Sequence, residues 1–214
     1  MKFFSAIRPM ATFMVAGLLL TSCTEEDEGL KLQPHDESKM MAIMHTMMDG
    51  MHSMSMAEDP DVVFAKMMVM HHQGAINMAN EELMSGDDPA IKAIATKIKA
   101  DQQQEIADLQ AFVTSYRPDQ PASSKFNMEL MNSMDKSSRQ SDLQIINGDT
   151  DHDFAQLMIV HHQSAIENAY AVLEHGTSPM IKEMAHMMID AQMAEIKEFQ
   201  EWILKNQGSG MQGH

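Results

Sequence analysis

Residues 61–113 align without a gap on residues 151–203, ninety positions downstream, and 20 of the 53 aligned positions are identical. An internal duplication of this length restricts the chain to folds in which one supersecondary unit is built twice and each copy buries its apolar face against the other. The early identities fall at positions 61, 64, 65, 68, 71, 72, 75, 76, 79 and 83, which trace one face of a helix. Those at 91, 95, 102, 105 and 106 trace a second. Between the two runs lie Gly86-Asp87-Asp88-Pro89 and Gly176-Thr177-Ser178-Pro179. Each supplies a glycine to end one helix, a capping Asp or Ser, and a proline for the first position of the next. Each repeat is therefore expected to be a hairpin of two antiparallel helices.

Two hairpins supply four helices of roughly 24 residues, and an antiparallel four-helix bundle buries their inner faces. A helical pattern also covers residues 38–56, and residues 124–146 occupy the matching place before the second hairpin. Met41 and Met44 align with Met131 and Met134 in one register, so the repeat extends to three helices per half. No strand-like alternation is present, and the expected class is all-α. The bundle domain is placed at 38–206, with repeats at about 38–115 and 124–206 and a flexible tail at 207–214.

The first residues read as an export signal. Lys2 and Arg8 precede a short apolar run from Met10 to Leu20, and Leu20-Thr21-Ser22-Cys23 fits a bacterial lipobox. Cleavage after residue 22 would leave Cys23, the only cysteine, to carry lipid, with 23–37 as a polar tether. The expected location is the cell envelope, on its periplasmic or extracellular face, with the lipid as the sole membrane contact. A formal charge of −16 repels phosphate backbones and argues against a nucleic-acid partner.

The chain holds 26 methionines, about one residue in eight, which exceeds what a core needs as filler. Residues 40–56, MMAIMHTMMDGMHSMSM, concentrate them. Met41, His45, Met48 and His52 form a ladder up one face, and Met44 and Met51 lie on the adjoining one. Thioethers are soft, uncharged donors suited to Cu(I) or Ag(I), and imidazole accepts copper in either oxidation state.

In the duplicated stripe, Met68 and His72 sit near the centre, with His71 at one edge. Met158, His162 and His161 repeat them, and Gln102 with Glu105 and Gln192 with Glu195 face them from the second helix of each hairpin. Buried imidazole, amide and carboxylate must satisfy a bound ion or one another. Two readings stand: a metal site in each half, or a hydrogen-bonded network that fixes helix register. The edge histidines His71 and His161 are expected to reach an ion near the surface. A weaker soft patch spans Met180, Met184, His186, Met187, Met188 and Met193, while His35, His152 and His175 read as surface or capping residues.

The segments FAKMMVMHHQGAINMA and FAQLMIVHHQSAIENA, each followed by a helix carrying Q-x-x-E-I, resemble domain-of-unknown-function family 305 over roughly residues 36–205. The resemblance implies a ferritin-like four-helix bundle, an exported protein and, as for some members, periplasmic copper binding. A di-iron enzyme of that fold would need two E-x-x-H motifs. The chain has one, Glu183-x-x-His186, whose counterparts are Ala93 and Thr96. No nucleophilic triad, phosphate loop or dinucleotide fingerprint is present. The expectation is a non-enzymatic copper protein, preferring Cu(I) and taking silver by extension. It would serve sequestration, delivery or tolerance, with copper-exporting or copper-accepting envelope proteins as partners. A Met-rich interaction module and a methionine oxidant sink are the alternatives.

Overall fold

The computed structural model describes residues 32–206, which form six α-helices and no strand. These are α1 (Lys39–His52), α2 (Pro60–Ser85), α3 (Pro89–Ser115), α4 (Ser124–Asp142), α5 (Thr150–His175) and α6 (Pro179–Asn206). The export signal, Cys23, most of the expected tether and the tail lie outside the described residues. No described helix is long and apolar enough to cross a membrane.

Each half is a three-helix unit, α1–α2–α3 or α4–α5–α6. α2 and α5 pack against each other at the centre, α3 and α6 back onto α2 and α5, and α1 and α4 also touch across the repeat. The duplicated stripe accounts for this arrangement. Ala65, Met68, Ala75 and Ala79 on α2, with Ala155, Met158, Ala165 and Ala169 on α5, are all buried. Small residues at this spacing let the two backbones approach across the seam.

Residues outside the hairpin apices hold the turns in place, and they do so across the repeat. Asp61, in the first turn of α2, accepts hydrogen bonds from the backbone N–H of Thr177 (2.8 Å) and Ser178 (3.0 Å) in the α5–α6 turn. Asp151, its copy in α5, accepts from Asp87 and Asp88 in the α2–α3 turn, both at 3.0 Å. Each repeat thus satisfies the orphan donors that open the other repeat's last helix. Asp88 caps α3 as expected, accepting from Ala90 and Ile91. Gly86 and Gly176 are not left-handed caps: both are extended, at φ −70° and −74°. They are glycine because a Cβ there would meet Glu82 Oε1 at 2.2 Å or Asp61 Oδ1 at 2.3 Å.

Two helices are shorter than their patterns. The pattern at 38–56 continues past the end of α1 because Met54 and Met56 still pack on the core, but from an irregular segment. α4 stops at Asp142, and beyond it Leu143 and Ile145 are exposed while Ile146 is buried.

Candidate metal centre

His71, His72, His161 and His162 are all fully buried at the α2–α5 seam. The rings of His71 and His161 meet across the repeat with centroids 3.6 Å apart, and each lies edge-on to its own neighbour, at 6.1 Å for His72 and 5.7 Å for His162. This corrects the placement of His71 and His161 at a surface-accessible edge. A helical wheel computed for one helix counts a single buried stripe, whereas α2 is covered on one side by α3 and on another by α5.

Of the eight ring nitrogens, only His161 Nε2 has a hydrogen-bond partner, the His71 carbonyl at 2.9 Å. The other seven have none. Glu105 Oε2 lies 3.0 Å from His72 Nε2, and Glu195 Oε2 lies 2.9 Å from His162 Nε2. Each is a close imidazole–carboxylate contact, though its oxygen lies off the line of a ring N–H. Gln102 Oε1 and both polar atoms of the Gln192 amide are likewise unpartnered. Of the His–Gln–Glu network allowed by the sequence, each repeat makes the His–Glu contact, while Gln102 Oε1 and the Gln192 amide stay outside it. Leaving one buried polar group unsatisfied costs about 1–3 kcal/mol, against a total stability of about 5–15 kcal/mol for an ordinary domain. Five ring nitrogens with no polar contact at one seam depart from the rule that buried polar groups are partnered.

The electrostatics keep the central pair neutral. Burial, reinforced by His161, holds the His71 pKa well below the ordinary histidine range, and burial with His162 nearby does the same for His161. Neutral imidazoles have a lone pair to give. Burial raises the pKa of Glu195, but His162 and the Lys97 ammonium, 2.7 Å from Oε1, outweigh it and leave the carboxyl lowered. Glu105 has no such lysine and is the more exposed carboxylate, 25% against 5%. Met68 and Met158, one turn before the paired histidines, are fully buried. The four histidines and their carboxylates do not converge as a hard-ion cage: no three of their nitrogen and oxygen donors lie mutually within 4.8 Å.

The methionine-rich helix differs from its expected form. Met41, Met44, Met48 and Met51 are buried, at 0–3% exposure, and belong to the core. His45 and His52 stand at the rim of that face, contacting Asp142 at 2.8 Å and Asp135 at 3.1 Å on α4. His52 Nδ1 also donates to the Met48 carbonyl. The ladder is one stripe, as the spacing requires, but α4 covers it and divides sulfur inside from imidazole outside.

Lys97 was not legible as a site residue, because its copy is Met187 and duplication gives it no signal. His175, read as a capping residue, contacts Glu129 at 3.1 Å. No signal marks that pair, since the two residues are 46 positions apart and unmatched in the other repeat.

Comparison with known proteins places these features. No curated protein matches the chain. A fragment of a DUF305 protein from Deinococcus radiodurans is 21% identical, with a TM-score of 0.52 over 70% of this chain and 98% of that one. CopM in its Cu(I)-bound form is 28% identical, with a TM-score of 0.52 over 68% of this chain and 96% of that one. CopM in a silver-bound form is 26% identical over the same share of this chain. The family profile for the domain of unknown function DUF305 matches residues 12–113 and again 61–203, the overlap being the first copy of the duplicated segment. This chain, with its paired histidines repeated across a two-part helical body, belongs to the DUF305 family.

Proposed function

We propose that this protein binds Cu(I), and Ag(I) by the same donors, at the α2–α5 seam, and that it sequesters or hands on the ion in the cell envelope without turnover. The observation that carries the reading is the set of five ring nitrogens with no polar contact, on four fully buried histidines whose other three nitrogens meet one carbonyl and two carboxylates. Neutral imidazole with the flanking thioethers of Met68 and Met158 is a donor set for a soft monovalent ion of low coordination number. Zinc asks for four converging nitrogen, oxygen or thiolate donors, which this seam does not offer. CopM, crystallised with Cu(I), with Cu(II) and with silver, supports copper and silver as the ions. We further read the four long helices α2, α3, α5 and α6 as a ferritin-like bundle, and Cys23 as the lipid attachment point.

The test is Cu(I) transfer from a coloured chelator to wild type and to the His72→Leu/His162→Leu double variant, with thermal unfolding of both apo proteins. A metal site predicts lost copper stoichiometry in a double variant that still unfolds cooperatively, with Lys97 left as the partner of Glu195. Unchanged copper loading in the double variant sinks the assignment of these two histidines. A wild type that takes up no Cu(I) sinks the function.

A further inference from the structure

We propose that Glu129, Glu174 and His175 form a second cation site of harder character, taking a divalent borderline ion such as Zn(II) or Cu(II). Among the described residues, these are the three histidine or carboxylate side chains whose ligand atoms all lie within 4.8 Å of one another. The site is distinct from the seam: His175 ends α5, thirteen residues beyond His162, or about 20 Å along the helix.

The distances suit an ion. His175 Nε2 is 3.1 Å from Glu129 Oε2 and 3.9 Å from Glu174 Oε1. Ligands about 2.0–2.1 Å from a tetrahedral ion stand about 3.3–3.4 Å apart, so the separations bracket that edge. The imidazole is only 13% exposed. Its ring lies 5.8 Å from that of Phe126, and the His175 carbonyl accepts a hydrogen bond from Gln120 Nε2. The carboxylates come from two elements, Glu129 on α4 and Glu174 on α5, so an ion would tie the helices together while leaving a solvent-facing position for water.

A positive charge already stands there. Lys125 Nζ is 2.5 Å from Glu174 Oε1 and 3.6 Å from Glu129 Oε1. The ammonium neutralises the carboxylate pair, and with 59% of its side chain exposed it can swing into water when a divalent ion enters. In the first repeat the three positions are Lys39, Met84 and Ser85, which cannot chelate. The cluster is therefore not a by-product of the duplicated fold.

The test titrates the untagged protein with Zn(II) by calorimetry at physiological salt, repeated with Cu(II). Wild type should take one Zn(II). Glu129→Gln should weaken binding by about tenfold or more, the scale of losing a metal-site carboxylate. Lys125→Met should strengthen it several-fold by removing the competing charge. The His72→Leu/His162→Leu protein should bind zinc as wild type does, which separates failure of this site from failure of the copper reading. Zinc affinity unmoved by either Glu129→Gln or Lys125→Met, or no zinc taken up by wild type and Lys125→Met alike, overturns the proposal.

Discussion

His45 and Asp142 meet at 2.8 Å across the α1–α4 interface, and the first-repeat match of Asp142 is His52, which itself contacts Asp135, the match of His45. The two pairs are thus one pair seen twice across the pseudo-twofold axis, with imidazoles on one repeat and carboxylates on the other. An exactly repeated sequence would oppose like with like at both places. As the two copies stand, each place sets an imidazole against a carboxylate. Because the side chains are a third to a half exposed, each pair contributes only about 0–1 kcal/mol. His52→Asp, which sets two carboxylates against each other, should lower stability by about 0.5–1 kcal/mol. The reciprocal exchange His52→Asp with Asp135→His should restore it. Denaturant unfolding of the four proteins of that cycle measures the coupling, and a double variant no better than the single one refutes it.

Buried titratable groups give the apo protein a stability maximum near pH 6.5. His71 and His161 are neutral in the folded state and have depressed pKa values, so the unfolded chain binds more protons as pH falls below about 6.5. Stability should then decline toward acid, by at most about 1.4 kcal/mol per pH unit for each histidine while it stays neutral in the folded state. Glu82 works in the opposite direction. Burial, together with Asp151, raises its pKa to about 8, so its contribution is full below about 4.5 and is lost as pH rises toward 8. Between pH 4.5 and 6.5 two histidines oppose one carboxyl and the acid decline wins. From 6.5 to 8 only Glu82 titrates. Thermal unfolding across pH 4.5–8.5 should show the maximum, and Glu82→Gln should flatten its alkaline side alone.

The turn glycines answer to packing, so a modest change there should be costly. At Gly176 an added Cβ would meet Asp61 Oδ1 at 2.3 Å and the Val172 carbonyl at 2.8 Å. Asp61 cannot withdraw without releasing Thr177 and Ser178. Gly176→Ala should destabilise by about 1–3 kcal/mol. Gly50, in the last turn of α1 with nothing within 4 Å, should gain slightly from the same change. Equal effects at the two glycines, read from denaturant midpoints, would show that backbone entropy alone governs both.

Periodicity disclosed the hairpins, their caps and the third helix of each half, because identities spaced at 3.6 residues survive only where a face stays buried. It could not disclose which buried face meets which. A wheel for α2 puts His71 at an edge, and only the arrival of α5 turns that edge into the centre of the molecule. The same limit split the α1 ladder, since nothing local to residues 41–52 reports that α4 lies over it. Asp61 and Asp151 stood among the identities, yet their roles run between repeats, over 116 and 63–64 positions, and no local pattern records such a bond. Lys97 and the Glu129–His175 contact were invisible for the opposite reason: they occur once, and repetition was the signal being read.

Met68 and Met158 decide whether sulfur takes part at the seam or merely fills it. Both are fully buried one turn ahead of the histidine pairs. Methionine and leucine have similar volumes, so Met68→Leu and Met158→Leu should each change apo stability by less than about 1.5 kcal/mol. A thioether that ligates Cu(I) is lost altogether in that exchange, whereas one that only packs is replaced in kind. The double variant should therefore hold Cu(I) at least tenfold more weakly, while its melting temperature without metal stays close to that of wild type. Met128→Leu, an exposed methionine near the start of α4, is the control and should leave copper affinity unchanged. Chelator competition measures the affinities of the three proteins and thermal unfolding their apo melting temperatures, and equal Cu(I) affinities throughout would assign the ion to imidazole alone.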